Sequence, residues 1–253
     1  MKIWALSDLH LNLGTPDKEM AVFGPIWEHH MEKIEINWRR LVTPDDLVLI
    51  AGDLSWAMKL EQALADLEWV DRLPGTKLLL KGNHDYWWPS SRKLSHILPP
   101  SIHFIHRTVF NWNGVTIGGA RLWEMEELSF DTYIEFRPNP KEKVKDPQEM
   151  ERIKARNQKI FQKEKDHLKE SLKQLDPKAS CRIAMTHYPP VEPTLKTSSI
   201  SEIFEQFHVN ISLFGHLHQV KKNKPLFGEK NHVRYLLTSS DYLQFTPYLV
   251  ATL

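Results

Sequence analysis

Five apolar runs in this chain break off into Asp, Asn or His at the same point of their pattern. KIWALS, from Lys2, runs into Asp8-Leu9-His10, and LVLIA, from Leu47, into Gly52-Asp53. KLLLK, from Lys77, runs into Gly82-Asn83-His84-Asp85; RIAMT, from Arg182, into His187; and NISLF, from Asn210, into Gly215-His216-Leu217-His218. Short apolar runs of this kind fit strands buried on both faces. Polar side chains at the end of a buried strand cost desolvation free energy unless something pairs with them. Any fold open to this chain must answer that cost with hydrogen bonds or a metal.

Two more runs, VTIGGA from Val115 and VRYLLTS from Val233, have the same strand character. Between the early runs, Trp27, Met31, Ile34, Trp38 and Leu41 recur at three- and four-residue steps, as do Leu60, Leu64, Leu67 and Val70, which predicts amphipathic helices. Strands alternating with such helices imply an α/β layered fold. In layered α/β folds ligands sit outside the carboxyl ends of the strands, so the five polar clusters are expected to converge on one edge.

The segment at about 121–178 interrupts the rhythm and reads as an insertion in a single domain spanning 1–253. Its first half carries three prolines and looks irregular. In its second half Met150, Ile153, Ile160, Leu168, Leu172 and Leu175 share one face, predicting a long amphipathic helix. From Arg137 to Lys178 there are thirteen Lys and Arg against eight Asp and Glu, a local surplus of positive charge. That surplus is either a solvated helix face or an insertion that overhangs a site and attracts anions.

Over the whole chain 33 Lys and Arg balance 32 Asp and Glu, so no global field recruits nucleic acid or anionic lipid. The single cysteine, Cys181, excludes an internal disulfide and a thiolate cluster, which fits a reducing compartment and makes the cytoplasm the expected location. An Asp at position 8 comes too early for a signal-peptide apolar region, and no run is long enough to span a membrane. Oligomeric state has no signature here.

Singly, each polar strand end has an ordinary explanation: Asp8 or Asp53 could cap a following helix, and His187 could be a satisfied structural histidine. Capping, however, has no use for four histidines and an asparagine on one rim. Asp8 with His10, and His216 with His218, stand two residues apart, so in an extended segment each pair points to one side. Gly52, Gly82 and Gly215 precede the clusters and permit tight turns and close approach. Oxygen and imidazole donors suit Mn, Fe, Zn or Ni, with Mn or Fe favoured. Asp8, His10, Asp53, Asn83, His187, His216 and His218 are too many donors for one tetrahedral ion, and suit two ions sharing a bridging carboxylate. Two divalent or trivalent ions about 3.5–4 Å apart stabilise the attacking and leaving oxygens of an in-line displacement.

The order Asp-x-His, Gly-Asp, Gly-Asn-His-Asp, His, Gly-His-x-His, from Asp8 to His218, resembles the calcineurin-like metallophosphoesterases. The resemblance implies a four-layer α/β/β/α sandwich, two mixed β-sheets flanked by helices, with a dinuclear site at the strand ends. It implies that Asp8, His10, Asp53 and His218 bind one metal and that Asp53 bridges to a second held by Asn83, His187 and His216. Asp53 is also the best bridge on internal grounds, since it stands alone after its strand while Asp8 already has His10. His84 would face the substrate as the acid, positioned by Asp85, while a metal-activated hydroxide attacks phosphorus.

Substrate contacts are less determined. Tyr86, Trp87 and Trp88 either pack against a neighbouring layer or wall a substrate group. Arg121, close to Trp123, either grips phosphate oxygens or forms a structural salt bridge. Tyr188-Pro189-Pro190 is expected to fix the loop after His187. The histidines outside the matched motifs, among them His30, His106 and His167, read as ordinary. The chain is thus expected to be a phosphoesterase acting on a phosphomonoester, phosphodiester or pyrophosphate bond of a small phosphorylated molecule or nucleotide. Its rivals are a scaffold that keeps the fold without turnover, and a peripheral hydrolase of lipid phosphates.

Overall fold

The structure, a computed structural model, describes residues 1–135, 146–221 and 226–253. In chain order the strands are β1 (Lys2–Ala5), β2 (Leu47–Ile50), β3 (Thr76–Leu79), β4 (Ile102–Phe104), β5 (Val109–Trp112) and β6 (Val115–Ala120). They continue with β7 (Cys181–Thr186), β8 (Ile211–Phe214), β9 (Gly228–Lys230), β10 (Val233–Leu237) and β11 (Tyr248–Thr252). The helices are α1 (His30–Leu41), α2 (Leu60–Asp71), α3 (Ser91–Ile97), α4 (Pro147–Leu172) and α5 (Ser199–Gln206).

The strands form two mixed sheets. One has the order β11-β1-β2-β3-β4 and the other β5-β6-β7-β8-β10-β9. β1 to β4 run parallel with β11 antiparallel, while β6, β7, β8 and β10 run parallel between the antiparallel β5 and β9.

Strand alternation distributes the apolar side chains into three cores. Ile3, Ala5, Leu47, Leu49 and Leu78 point inward, where they meet Ile117, Ile183, Met185 and Leu213 of the other sheet. The intervening Trp4, Val48, Ile50 and Leu79 point outward onto Ile34 and Trp38 of α1, Ala63, Leu67 and Val70 of α2 and Leu94 of α3. On the opposite outer face Ala120, Ala184, Phe214 and Tyr235 pack with Leu168 and Leu172 of α4 and Ile200, Ile203 and Phe204 of α5. Helices, sheet, sheet, helices is the four-layer order the sequence led us to expect.

Helix α4 starts where Asp146 caps it, its carboxylate accepting Glu149 N at 2.8 Å, with Pro147 in the first turn. Its expected apolar face is buried only toward the C-terminal end. Leu168 and Leu172 sit on the sheet, and Leu175 is buried just past the helix, whereas Met150 is 54% exposed. Only the second half lies over β6, where Gly119 N donates to Ser171 Oγ at 2.8 Å. The part nearer the start is tied by polar bonds instead: Trp123 Nε1 donates to Asn157 Oδ1 at 3.1 Å, and Asn157 Nδ2 to Glu124 Oε2 at 2.7 Å. Part of the irregular, proline-bearing stretch expected before this helix falls in 136–145, outside the described residues. In α2, Ala63 occupies the core position and Leu64 is exposed.

Candidate metal centre

Asp8 and His10 follow β1, Asp53 follows β2, Asn83 follows β3, His187 follows β7, and His216 and His218 follow β8. Parallel strands place all of these at carboxyl ends, on the seam between the two sheets. Cross-sheet bonds close that seam: His216 N donates to the Asp8 carboxylate at 3.0 and 3.1 Å, and Ser7 N to Thr238 O at 2.8 Å. His187 Nδ1 lies 2.9 Å from Ala51 O, at the end of β2.

The paired residues do not point together because their segments are extended, as their spacing had suggested. Asp8, His10, Asp53 and His216 all have left-handed backbone, with φ of 56, 48, 53 and 71°. Asp and His tolerate that region better than most side chains. Backbone bonds hold it, Asp8 N to Gly52 O at 3.0 Å and His10 N to Asp53 O at 3.1 Å. A methyl group at Gly82 would fall on the Asp53 carboxylate, and one at Gly215 on the Asp8 carboxylate, so both positions must be bare.

The side chains gather into two overlapping groups. In the first, His10 Nε2 and His218 Nε2 face each other at 3.2 Å, with Asp8 Oδ1 3.8 Å from His218 Nε2 and Asp53 Oδ2 3.9 Å from His10 Nε2. In the second, Asn83 Oδ1 is 2.5 Å from His187 Nε2 and 3.0 Å from His216 Nδ1, and the same Asp53 Oδ2 is 3.4 Å from His187 Nε2. The other Asp53 oxygen is occupied, accepting His84 N at 2.8 Å. Asp53 therefore turns one free oxygen toward both groups.

Tautomers follow from the bonds behind the rings. The bond to Ala51 O puts the His187 proton on Nδ1, and the bond from His218 Nδ1 to Asp241 Oδ1, 2.9 Å, puts a proton there. The His187 Nε2 lone pair is left facing the cluster, and His218 Nε2 is aimed at it. Burial pushes His187 down to about 3 and holds His10 and His216 well below the usual imidazole value. Burial also raises Asp8 to about 8, against the pull of His218, and raises Asp53. His218 resists burial through its bond to Asp241 and the charges of Asp241, Asp8 and Asp53, reaching about 9. Three imidazoles that refuse protons, His10, His187 and His216, beside buried carboxylates short of positive charge, form a donor set completed by cations, with His218 held by Asp241 and able to exchange its proton for one. His10 Nδ1 is itself buried without a partner.

The family model for calcineurin-like phosphoesterases matches residues 1–220. The chain belongs to that family. Two solved structures are similar to this phosphoesterase. Phosphopantetheinyl Hydrolase (PptH) from Mycobacterium tuberculosis is 16% identical with a TM-score of 0.54, covering 98% of this chain and 95% of that one. A protein of unknown function from Aquifex aeolicus is 12% identical with a TM-score of 0.51, over the same shares of the two chains. At these identities the likeness is one of fold. Gene 66 protein of Mycobacterium phage D29 is 33% identical over 90 residues, and the match covers 43% of its length and 36% of this chain. The family is metal-dependent, and in this phosphoesterase Asp8, His10 and His218, and Asp8, Asp53 and His187, bring candidate ligand atoms within 4.8 Å of one another.

Around the donors, His84 packs against Trp56 with ring centroids 4.4 Å apart and lies 5.6 Å from His10. Burial lowers its pKa, with Asp53 pulling the other way. Asp85 does not orient the His84 ring directly: among the described residues its carboxylate has no hydrogen bond to that ring. Its oxygens accept instead from Asp53 N, Leu54 N, Ser55 N, Gly82 N and Trp87 Nε1, at 2.7–3.4 Å. Asp85 thus fixes the loop that carries Asp53. The three aromatics divide between the two readings: Trp87 and Trp88 are buried in the helix-facing core, while Tyr86 is 60% exposed, 6.4 Å from His84.

Arg121 forms the structural ion pair, Nη2 donating to Glu164 Oε1 at 3.1 Å, and lies over the Trp123 ring at 4.7 Å. Its Nε is buried without a partner. Sequence reasoning missed several supporting residues. Trp56 stacks on His10 at 4.9 Å, Trp27 packs edge-on to both His10 and His218, and Tyr188 stacks on His216 at 4.1 Å. His30 Nε2 reaches His10 O at 3.2 Å. Asp241, buried behind His218, also lies beyond residue 220, where the family match ends. Of these, only Tyr188 carried a signal, its place directly after His187.

Proposed function

We propose that this phosphoesterase uses two metal ions to hydrolyse a phosphomonoester, phosphodiester or pyrophosphate bond in a small phosphorylated molecule or nucleotide. The observation that carries the reading is the position of Asp53 Oδ2, 3.9 Å from His10 Nε2 and 3.4 Å from His187 Nε2, with a donor set on either side. Asp8, His10, Asp53 and His218 would hold one ion; Asp53, Asn83, His187 and His216 would hold the other. Oxygen and imidazole donors suit Mn, Fe, Zn or Ni, and in this reading Mn or Fe comes first. Metal ions held there would supply the positive charge that polarises a phosphoryl oxygen and acidifies an attacking water.

The chain's own groups do the rest. His84 carries a proton beside the leaving oxygen; burial lowers its pKa, and a phosphate anion seated next to it raises that pKa again. Asp85 acts through the Asp53 loop. Trp27 and Trp56 shield the His10 side of the site from water. Tyr86 and Arg121, the latter backed by Trp123, are the substrate contacts in this reading. The absence of a cysteine pair fits a reducing compartment, and the reading places the enzyme in the cytoplasm. Among the described residues no helix is long and apolar enough to cross a membrane.

The test is a panel of aryl mono- and diesters and pyrophosphates assayed with Mn, Fe, Ni, Zn and Co, with metal content measured in parallel. Hydrolysis that scales with two bound ions per chain is the expected result. Full occupancy with no hydrolysis of any ester would overturn the reading in favour of a scaffold.

A further inference from the structure

Beside the metal centre, on the same rim, the ends of β3, β4 and β6 and the flank of α4 enclose a second cavity of about 270 Å³. Its polar lining includes Lys81, Arg107, Arg121, Lys163, Glu164 and His167. The charges do not cancel. Arg107 is matched by Glu170, with bonds of 2.7 and 3.0 Å, and Arg121 by Glu164 at 3.1 Å. His167 Nδ1 lies 3.9 Å from the second Glu164 oxygen. Lys81 and Lys163 remain, and neither has a hydrogen-bond or ion-pair partner among the described residues. The pocket thus holds two lysines without a direct partner and, in its wall, the unpartnered Nε of Arg121.

The two sites share a wall. Lys81 precedes Gly82-Asn83, and Arg121 O accepts His187 N at 3.1 Å and Tyr188 N at 3.0 Å. α4, with seven Lys and Arg against five Asp and Glu, brings Lys163 to the rim. The volume lies just under the ~300 Å³ at which cavities begin to hold whole drug-sized ligands, so the pocket suits a compact group. Two lysine ammoniums free of direct partners match the charge of a phosphate dianion.

We propose that this pocket binds a second phosphate group of the substrate while the metal centre works on the first, so that the preferred substrates carry two phosphoryl groups. The substrate role rests on the phosphoesterase reading; the binding of phosphate does not.

The experiment separates the two. Chelator-treated protein is titrated with inorganic phosphate by calorimetry at low and high salt, beside Lys81→Met and the exposed-site variant Lys163→Glu, whose folding is checked by circular dichroism. One equivalent of salt-sensitive binding is expected, weakened about tenfold or more by Lys163→Glu. No binding, or binding equally strong in both variants, overturns the pocket. In the metal-loaded enzyme, KM for an alkyl bisphosphate should fall about tenfold below that for its monophosphate, one more charged contact being worth roughly that factor. The KM ratio should collapse toward one in Lys163→Glu. Equal KM values in the wild type overturn the substrate role even if phosphate binds. Phosphate binding without hydrolysis of any ester would instead count against the phosphoesterase reading alone.

Discussion

Replacing Asp85 with Asn separates a loop anchor from a catalytic orienter. The Asp85 side chain is fully buried. Its Oδ2 accepts Asp53 N at 3.0 Å and Gly82 N at 2.7 Å; its Oδ1 accepts Leu54 N at 3.0 Å, Ser55 N at 3.4 Å and Trp87 Nε1 at 3.0 Å. An Asn of the same shape has one accepting and one donating end. In the milder orientation its NH₂ meets Asp53 N and Gly82 N, leaving two buried donors without an acceptor. At about 1–3 kcal/mol each, the loss is about 2–6 kcal/mol. For a chain of this size that is a fall in Tm of roughly 4–24 °C. Thermal unfolding of chelator-treated Asp85→Asn, followed by circular dichroism, measures it without interference from metal affinity. If Tm moved by less than about 2 °C while turnover collapsed, Asp85 would be acting on His84 and the loop-anchor account would be refuted.

Three other outcomes follow. His84→Ala should keep metal content near wild type while lowering kcat about 10²–10⁴-fold; unchanged turnover removes His84 from the mechanism. Asp241→Ala removes the bond that turns His218 Nε2 toward the donor cluster and should weaken metal binding about 10–100-fold, read by competition with a chromophoric chelator; equal affinity would deny Asp241 that role. Burial raises Asp66 to about 6, against the bonds from Ser55 and Leu13, so the folded chain holds a proton there that the unfolded chain releases near pH 4. That contribution to stability is complete below about pH 4 and is lost as pH rises to about 6, roughly 3 kcal/mol across the window. Urea unfolding of wild type and Asp66→Asn should therefore diverge between those limits, and parallel pH profiles would contradict the assignment.

What could be read from the sequence follows burial. The seven apolar runs correspond to β1, β2, β3, β6, β7, β8 and β10, the interior strands of the two sheets. The four strands the pattern missed, β4, β5, β9 and β11, are the four edges. An edge strand such as Gly228–Lys230 is half in solvent and carries no continuous apolar signal. The same reasoning applies to α4, where the sequence shows a stripe but cannot show that only its C-terminal part is buried. Donors were legible because an Asp or His that interrupts a core strand needs a partner. Asp66 and Asp241, and the anchoring role of Asp85, were not, because the groups they bond are largely backbone or lie elsewhere in the chain.

The ligand geometry raises a question that spacing alone could not answer. Left-handed backbone costs a non-glycine residue of order 1–3 kcal/mol, and Asp8, His10, Asp53 and His216 all adopt it. Four such residues within one cluster would relax unless their surroundings fixed them. The bonds that do so cross between strand ends: Asp8 N to Gly52 O, His10 N to Asp53 O, and His216 N to the Asp8 carboxylate. Each loop is therefore held by another loop that itself carries a candidate ligand. A change at one strand end should disturb donors at the others, and mutations across the site are expected to be strongly non-additive in metal affinity. A double-mutant cycle pairing Asp85→Asn with Asp241→Ala tests this across the two sheets. Coupling within about 0.5 kcal/mol of zero would mean that the two sets of donors are built independently.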